Sequence, residues 1–298
     1  LNDVKVKVED TKEVLGTDLM KYVQQKQNTE ILGFWKLQLG IYNTASLDTA
    51  KWTSKNARKI GEAPVVFSHD LAESSCTQLE KAMNNKGYFR AKVDTTMRVK
   101  NRKLDLVYNV TANEPYTLRT YSVKLPHAEL NNIAQNRRQT LIQQGMQYDA
   151  DILNRERQRV ASAMRRQGYF YFDPEYIQFV ADSTKSKRQI DVEMRLQDYL
   201  QQLEQNQREQ IFRQYTVARV HFHIDYDPNR IPEDQEMFAS MQDGYVFTWV
   251  GQKLIRDKVL MRHCPIRPNE RYNENLVERA YARLNQLAPV KYVDISFE

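Results

Sequence analysis

Apolar and polar residues recur along the chain in two patterns, one typical of helices and one typical of strands. Before Gly87, apolar residues have helical spacing, and from 91 to 99 every second residue is apolar or threonine while most of the others are charged. A short turn at Asn101-Arg102 leads to a second alternating segment at 104–110. The pattern predicts an amphipathic helix, a glycine cap and an antiparallel hairpin whose first strand is half-buried.

The same arrangement occurs a second time, because the stretch 82–89 is repeated as 163–170. In both stretches Ala-Met is followed at the same distance by Gly-Tyr-Phe. The residue after a helix commonly needs a positive φ, which glycine adopts readily, so Gly87 and Gly168 are predicted helix caps. The aromatic pairs predicted to open the strands and join the core are Tyr88-Phe89 and Tyr169-Phe170. The recurrence predicts an internal repeat.

The second copy continues with predicted strands at 175–180 and 190–196, separated by a polar turn. A third copy is less regular: residues 276–287 have helical spacing, and 293–297 alternate as a predicted strand. The hairpin partner of that strand does not follow, so the third unit is predicted to be incomplete. Residues 227–247, which carry two prolines and a glycine, are predicted to form a loop or a hairpin insertion.

These elements predict an α+β fold of three tandem units. Each unit is expected to follow the order strand–helix–helix–strand–strand, with a small mixed sheet covered by two helices. The predicted divisions are unit 1 at 1–114 with an insertion at about 27–60, unit 2 at 115–198, a polar helical connector at 199–214, and a truncated unit 3 at 215–298.

Two segments of this division are less regular. Within the insertion, Leu37, Leu39 and Ile41 alternate as in a strand, but the same stretch also fits helical spacing, and the two alternatives stay open. The connector is rich in Gln and Glu and is expected to lie outside the core and to act as a hinge.

Charge and hydropathy limit the classes of protein to consider. The 298 residues have a net charge of +6, a pI near 9.1 and a mean hydropathy of −0.72. No stretch approaches the roughly 18 apolar residues of a membrane-spanning helix, and any targeting segment is expected to lie upstream of Leu1. Seven arginines of the second unit are a candidate anionic-partner surface or a solvated helix face: Arg137, Arg138, Arg155, Arg157, Arg159, Arg165 and Arg166.

Sequence motifs for catalysis, phosphate binding and structural metal sites are absent from the chain. His221 and His223 share one face of a predicted strand and could chelate a metal, but no third ligand has a recognisable spacing, so a solvent-facing pair is expected. Cys76 and Cys264 are predicted to be unpaired thiols. We therefore expect no enzyme activity, no cofactor and no metal; the remaining alternative is an enzyme whose site is assembled across repeats.

The element order and the Gly-Tyr-Phe entry into each hairpin resemble POTRA domains, the periplasmic modules of outer-membrane assembly and translocation proteins of the BamA and TamA type. Within that group, the chain is most similar to the TamA-like lipoproteins of Bacteroidetes (TamL). The residues that carry the resemblance are Asn28-Thr29, Ile41-Tyr42-Asn43, Trp52, Gly61-Glu62-Ala63-Pro64-Val65, Asn85-Lys86-Gly87-Tyr88-Phe89, Gly168-Tyr169-Phe170-Tyr171-Phe172 and Arg271-Tyr272-Asn273. They extend over essentially the whole chain.

The resemblance implies a periplasmic scaffold that is attached to the outer membrane through segments outside this chain, namely a barrel and an N-terminal lipid. It also implies partners: unfolded outer-membrane proteins or a periplasm-spanning protein, and the chain's own barrel. Binding would add a client strand to an exposed sheet edge, which the resemblance places at the first hairpin strand. The candidate edge residues are Arg90, Lys92, Asp94, Thr95 and Arg98 in unit 1, and Glu175, Tyr176 and Gln178 in unit 2.

The alternative function is a nucleic-acid-binding α+β module that uses the basic second unit and the aromatic pairs. It lacks an aromatic strand motif of the RNP type and a G-x-x-G loop. No nucleic acid is therefore expected among the partners.

Overall fold

The computed structural model of the protein describes residues 1–28, 37–43, 59, 62–136, 138–184, 187–224 and 237–298. The strands are β1 (Asp3–Glu9), β2 (Lys92–Lys100), β3 (Lys103–Thr111), β4 (Thr117–Lys124), β5 (Ile177–Asp182), β6 (Gln189–Leu196), β7 (Val220–Ile224), β8 (Met237–Gln242) and β9 (Tyr245–Val250). The α-helices are α1 (Gly16–Leu19), α2 (Leu37–Asn43), α3 (His69–Asn85), α4 (Ala128–Ala134), α5 (Ala150–Arg166), α6 (Gln205–Phe212), α7 (Asp257–His263) and α8 (Glu274–Leu284). Three short 3₁₀ turns occupy Met20–Tyr22, Pro174–Tyr176 and Asp198–Gln201.

The strands form three small three-stranded sheets, with the orders β1-β3-β2, β4-β6-β5 and β7-β9-β8. In the first and third sheets, the first strand pairs in parallel with the central strand, and the remaining two strands form an antiparallel hairpin. The predicted α+β class and the small mixed sheets are confirmed. Each sheet places the first strand of its hairpin at an edge.

The third sheet differs from the predicted order. Its hairpin comes from 237–250, before the two helices, and residues 293–297 form no strand. Asp243 and Gly244 turn this hairpin with positive φ angles of 51° and 80°, the conformation of a two-residue β-turn. β9 takes the central position beside β7, and the predicted C-terminal strand does not join the sheet, although Val293 and Ile295 still pack against the core.

Both predicted glycine caps are confirmed. α3 ends at Asn85 and α5 at Arg166, and Gly87 and Gly168 follow with φ angles of +88° and +98°. The prediction that the aromatic pairs open the strands was wrong. β2 begins at Lys92 and β5 at Ile177, so the pairs lie in turns before the strands. Their tyrosines, Tyr88 and Tyr169, are buried as predicted.

Both candidate edge strands therefore begin later than predicted. Arg90 precedes β2, while Glu175 and Tyr176 belong to the 3₁₀ turn before β5. The cause of this turn is local. Asp173 precedes Pro174, and its side chain accepts the backbone N–H of Glu175 at 2.8 Å, which caps a helical turn instead of extending a strand.

Three clusters of buried side chains form the cores. The first contains Leu79, Met83, Leu106 and Tyr108. The second contains Val160, Met164, Phe172 and Met194, and the third contains Tyr245, Phe247, Ala280 and Leu284. Leu200 and Ile211 belong to the second core, contrary to the expectation that the connector lies outside any core. Leu203 and Phe212 also pack against this core, so the few apolar residues of the connector find their burial there.

The chain divides into two compact units, one made of 1–120, 143–151 and 182–191, and the other of 121–142, 152–181 and 192–298. The division into three units stays a prediction. Of the expected insertion, the structure describes 27–28, 37–43 and residue 59. Residues 37–43, which fitted both a strand and a helix, form the helix α2. Trp52 lies outside the described residues. Among the described helices, none has the length and apolar character needed to cross a membrane.

Candidate partner-binding edges and tyrosine clusters

β2 lies at the edge of the first sheet, where the family resemblance placed it. Lys100 and Lys103 flank the two-residue turn and pair directly, which fixes the alternation of hydrogen-bonded positions along the hairpin. The carbonyl of Leu104 accepts the N–H of Asn2 at 2.7 Å, so Leu104 faces β1, and its partner Val99 faces away from β3. By the same alternation, the backbone groups of Thr95 and Met97 also point outward.

Among the residues that the structure describes, none pairs with the outward edge of β2 along part of its length. The N–H of Val93 donates to the Glu80 carboxylate at 3.2 Å, which closes the edge at that residue. Val93 is also the one residue of β2 that is buried, whereas Met97 and Val99 are 40% and 69% exposed. The predicted half-buried face therefore covers only the start of the strand. Lys92, Asp94, Thr95 and Arg98 are exposed as well.

β5 lies at the edge of the second sheet, as expected, but polar groups of two candidate residues, one in the side chain and one in the backbone, bond within the hairpin itself. The side-chain amide of Gln178 donates to the carbonyl of Leu196 at 3.0 Å. The carbonyl of Tyr176 accepts the N–H of Gln197 at 2.8 Å, and burial raises the pKa of the Tyr176 hydroxyl. Glu175 is exposed. The polar groups of Gln178 and Tyr176 named here already have partners within this hairpin.

β8 is an edge that the sequence did not identify, although residues 227–247 were predicted to form a loop or a hairpin insertion and β8 and β9 do form a hairpin. Met237, Phe238 and Met241 are 63%, 43% and 69% exposed, which makes this edge the most apolar of the three. Phe238 stacks on Trp249 of the neighbouring strand, with ring centroids 5.9 Å apart. The available signal was Asp-Gly between two alternating apolar segments, a strong local indication of a hairpin.

The first Gly-Tyr-Phe turn is the centre of a cluster that we call the first tyrosine cluster (Gly87, Phe89, Tyr116 and Tyr148). The Gly87 carbonyl accepts the N–H of Tyr116 at 2.9 Å, and the Tyr116 carbonyl accepts the N–H of Tyr148 at 2.8 Å. The Phe89 ring lies 5.2 Å and 5.1 Å from the Tyr116 and Tyr148 rings. The turn is thus held to two later segments of the same compact unit.

Charge reinforces the first tyrosine cluster. The Lys86 ammonium contacts Asp151 at 2.8 Å and Asp149 at 3.1 Å. The hydrogen bond with Asp151 is the main cause of the raised pKa of Lys86. The lysine therefore stays charged where it pairs with these carboxylates.

The second copy repeats the arrangement in a second tyrosine cluster (Gly168, Phe170, Tyr215 and Tyr272). The Gly168 carbonyl accepts the N–H of Tyr215 at 2.9 Å, and the Tyr215 carbonyl accepts the N–H of Tyr272 at 2.9 Å. The Phe170 ring lies 4.9 Å from Tyr272 and 6.2 Å from Tyr215. The repeated motif therefore caps a helix and also holds the following turn to two later segments of the chain. The sequence predicted the cap but not these contacts.

Near this second cluster, Arg165 bonds to Glu274 at 2.5 Å, and Arg159 bonds to Glu156 at 2.8 Å. Both arginines were members of the candidate anionic-partner surface. Their side chains are only 21% and 15% exposed, so their charges are directed to these carboxylates. This arrangement does not favour the nucleic-acid alternative.

Glu156 was not recognised as a special residue from the sequence. It is fully buried, and its carboxylate accepts bonds from the Thr140 hydroxyl at 2.8 Å and from the Leu141 N–H at 3.0 Å, besides those from Arg159. Arg159 also donates to the Ala134 carbonyl at 2.8 Å. The signal in the sequence was a carboxylate at a core-facing position of an amphipathic helix.

The histidine pair lies on β7, where both rings bond to the Thr248 hydroxyl, at 3.4 Å for His221 and 2.9 Å for His223. Burial, and then the neighbouring His223, lower the pKa of His221. In the part of the chain that the structure describes, no group of three potential metal ligands occurs.

Cys76 and Cys264 are free thiols, as predicted. Cys76 is half-buried and Cys264 is buried, and burial raises the pKa of both. A raised pKa keeps a thiol protonated at neutral pH and lowers its reactivity.

No model of a known protein family and no curated protein matches the chain. Among solved structures, the chain is similar to POTRA domains 3–5 of BamA from Haemophilus influenzae, with 12% identity and a TM-score of 0.42 over 98% of this chain and 87% of that one. It is also similar to POTRA domains 1–3 of Omp85 from Anabaena (10% identity, TM-score 0.29, 95% of this chain and 82% of that one). A third similarity is to the N-terminal domain of Omp85 from Thermosynechococcus elongatus, with 13% identity and a TM-score of 0.28 over 100% of this chain and 90% of that one. At these identities and scores the similarities assign no family and no function.

Proposed function

We propose that the chain is a periplasmic scaffold of outer-membrane protein assembly, of the POTRA type, which holds an extended segment of another protein against the edge of a sheet. The observation that carries the proposal is the edge of β2, where backbone groups of Thr95, Met97 and Val99 point away from the sheet. Such groups accept an added strand with little demand on its sequence. The exposed Met97 and Val99 side chains provide apolar contact beside it.

The partner is an unfolded outer-membrane protein or a protein that spans the periplasm. Within the POTRA proteins, we propose a TamA-like lipoprotein, on the strength of the residues that carry that resemblance. Among them, Arg271-Tyr272-Asn273 packs beside the second Gly-Tyr-Phe turn, where Tyr272 contacts Phe170. The proposal assigns the chain no catalytic step and no cofactor.

The proposed location has a direct test in cells that express the native gene. We expect an antibody against this chain to detect a protein that external protease cannot reach in intact cells. Protease should degrade it once the outer membrane is made permeable, and it should sediment with the outer membrane. Recovery in the cytosol, with protection after the outer membrane is opened, would exclude the periplasmic location.

Strand addition predicts different consequences for two neighbouring substitutions in β2. Thr95 pairs with Tyr108 at a position where its N–H points outward, so Thr95→Pro removes a group that only an added strand uses. We expect this variant to fold with nearly unchanged stability and to bind an extended peptide several-fold more weakly, since a hydrogen bond is worth about 0.5–1.5 kcal/mol. The probe is a fluorescein-labelled peptide of about ten residues, the length of a membrane-spanning strand, with alternating apolar and polar residues. Fluorescence anisotropy measures its affinity.

Thr96→Pro is the matched control. Thr96 pairs with Val107 at a hydrogen-bonded position, so proline there removes a bond of the ladder and is expected to cost roughly 1–3 kcal/mol of stability. Its side-chain bond with Asn109 is lost as well, and Thr96→Val measures that part separately. A folded Thr95→Pro variant that binds the peptide as tightly as the unmodified chain would exclude β2 as the binding edge. Unfolding of Thr95→Pro to the same extent as Thr96→Pro would contradict the edge assignment itself.

A further inference from the structure

A groove of about 950 Å³ lies within the second compact unit and has no part in strand addition as proposed above. Its walls are the last residues of β4, the last residues of β6 and the segment from Asp198 to Arg213. The volume falls within the range of about 300–1,000 Å³ that is typical of small-molecule sites. The groove therefore has the dimensions of a ligand site.

The floor of the groove is apolar. It is formed by Leu125, Leu196, Leu200 and Phe212, of which Leu125 and Leu200 are buried. Phe212 is held from two sides, by the Phe172 ring at 6.3 Å and by the His127 ring at 5.9 Å. This floor can hold a hydrocarbon or aromatic body.

The rim of the groove carries a net charge of +2, since it has four cations (Lys124, Arg195, Arg208 and Arg213) and two carboxylates (Asp198 and Glu209). Lys124 is paired with Glu193 at 2.5 Å, and Arg195 makes only a long contact of 3.4 Å with the exposed Asp198. The buried Nε of Arg195 has no hydrogen-bond partner among the described residues.

Arg208 and Arg213 are the available cations. Both are exposed, and neither forms an ion pair with any residue that the structure describes. The Arg213 guanidinium lies 5.9 Å from the Tyr215 ring, a contact that leaves its donors free for an anion. Guanidinium groups match the two oxygens of a carboxylate or a phosphate, so the rim is complementary to an anionic head.

We propose that this groove binds an amphiphile with an anionic head group and an acyl chain. The chain lies along the apolar floor, and Arg208, Arg213 and Arg195 receive the head group. This inference is independent of strand addition, because the lining residues belong to the second unit and the tested edge, β2, belongs to the first. Free fatty acids and anionic phospholipids share this chemistry.

The test is calorimetric titration of the full chain with dodecanoate, below the concentration at which it forms micelles. We expect saturable binding that is at least about tenfold weaker in the double variant Arg208→Glu/Arg213→Glu, since a hydrogen bond to a charged group is worth about that factor or more. Arg219→Glu, at an exposed position outside the groove, is the matched control and should bind like the unmodified chain. Dodecanol, which has the same chain without the charge, should bind more weakly than dodecanoate.

Absence of saturable dodecanoate binding would overturn the proposal, as would equal affinity of the double variant and the unmodified chain. Circular dichroism of each variant verifies that lost binding does not reflect lost folding. Flotation with phosphatidylglycerol vesicles, with phosphatidylcholine vesicles as the comparison, then distinguishes the sources. Flotation that depends on the two arginines identifies a phospholipid, whereas dodecanoate binding without flotation identifies a free fatty acid.

Discussion

Glu156→Ala is expected to lower the free energy of unfolding of the second compact unit by about 3–5 kcal/mol, the usual cost of removing one partner of a buried ion pair. The carboxylate is fully buried and accepts bonds from Thr140, Leu141 and Arg159. Alanine would leave the Arg159 guanidinium, 15% exposed, without its counter-charge. It would also leave the Thr140 hydroxyl and the Leu141 N–H without their acceptor.

Urea unfolding followed by circular dichroism measures this loss of stability. Two further variants show how much of it comes from the charge and from the burial of Glu156. Glu156→Gln keeps an oxygen for Thr140 but removes the charge that Arg159 needs, so we expect an intermediate loss. Glu175→Ala makes the same change at an exposed carboxylate of the same unit and should alter stability by no more than about 0.5 kcal/mol. A Glu156→Ala variant as stable as Glu175→Ala would show that the buried network does not stabilise the unit.

The parts of the fold that follow from local rules could be predicted from the sequence. The caps at Gly87 and Gly168 depend on a single backbone conformation that glycine adopts readily, and the adjoining helices show their apolar faces directly in their spacing. The hairpin of β2 and β3 was predictable for the same reason, since Asn101 and Arg102 form a two-residue turn between alternating segments. The edge position of β2 came from the family resemblance.

Pairing between distant segments could not be predicted in the same way. Residues 293–297 alternate as regularly as many strands do, but alternation does not say which neighbour a segment finds. In the third sheet β9 takes the position beside β7, and β8 pairs with the other side of β9, because Asp243 and Gly244 close their hairpin locally at a small loop cost. The most exposed apolar edge therefore arose in a segment that was predicted as a loop or a hairpin insertion.

The buried network around Glu156 was hidden for a related reason. Its partners come from the segment before α5 and from the next turn of the same helix, and only the folded chain brings them together. The core-facing position of Glu156 was visible in the helical spacing, yet the identity of its partners was not. For the candidate edges the reverse holds. The position of β2 and β5 at sheet edges was predicted, but the bond of the Gln178 side chain within its own hairpin was not.

The two copies of Gly-Tyr-Phe allow one substitution to be compared in two environments, and Gly87→Ala is expected to cost more than Gly168→Ala. Both glycines have a positive φ, which costs an alanine about 1–2 kcal/mol. A Cβ on Gly87 would also lie 2.7 Å from the backbone oxygen of Tyr148, which cannot move without disturbing the first tyrosine cluster. A Cβ on Gly168 would instead meet the Cγ of Arg271 at 2.8 Å, an exposed side chain that can rotate away.

We therefore expect losses of roughly 2–5 kcal/mol for Gly87→Ala, which adds a steric conflict to the backbone cost, and roughly 1–2 kcal/mol for Gly168→Ala. Urea unfolding of the two variants measures the difference. Arg271→Ala in combination with Gly168→Ala is the control, since it removes the atom that the new methyl group would meet and should leave only the backbone cost. Equal losses for the two glycines would mean that φ alone decides, and that the close approach of Tyr148 to Gly87 adds nothing to the stability of the first cluster.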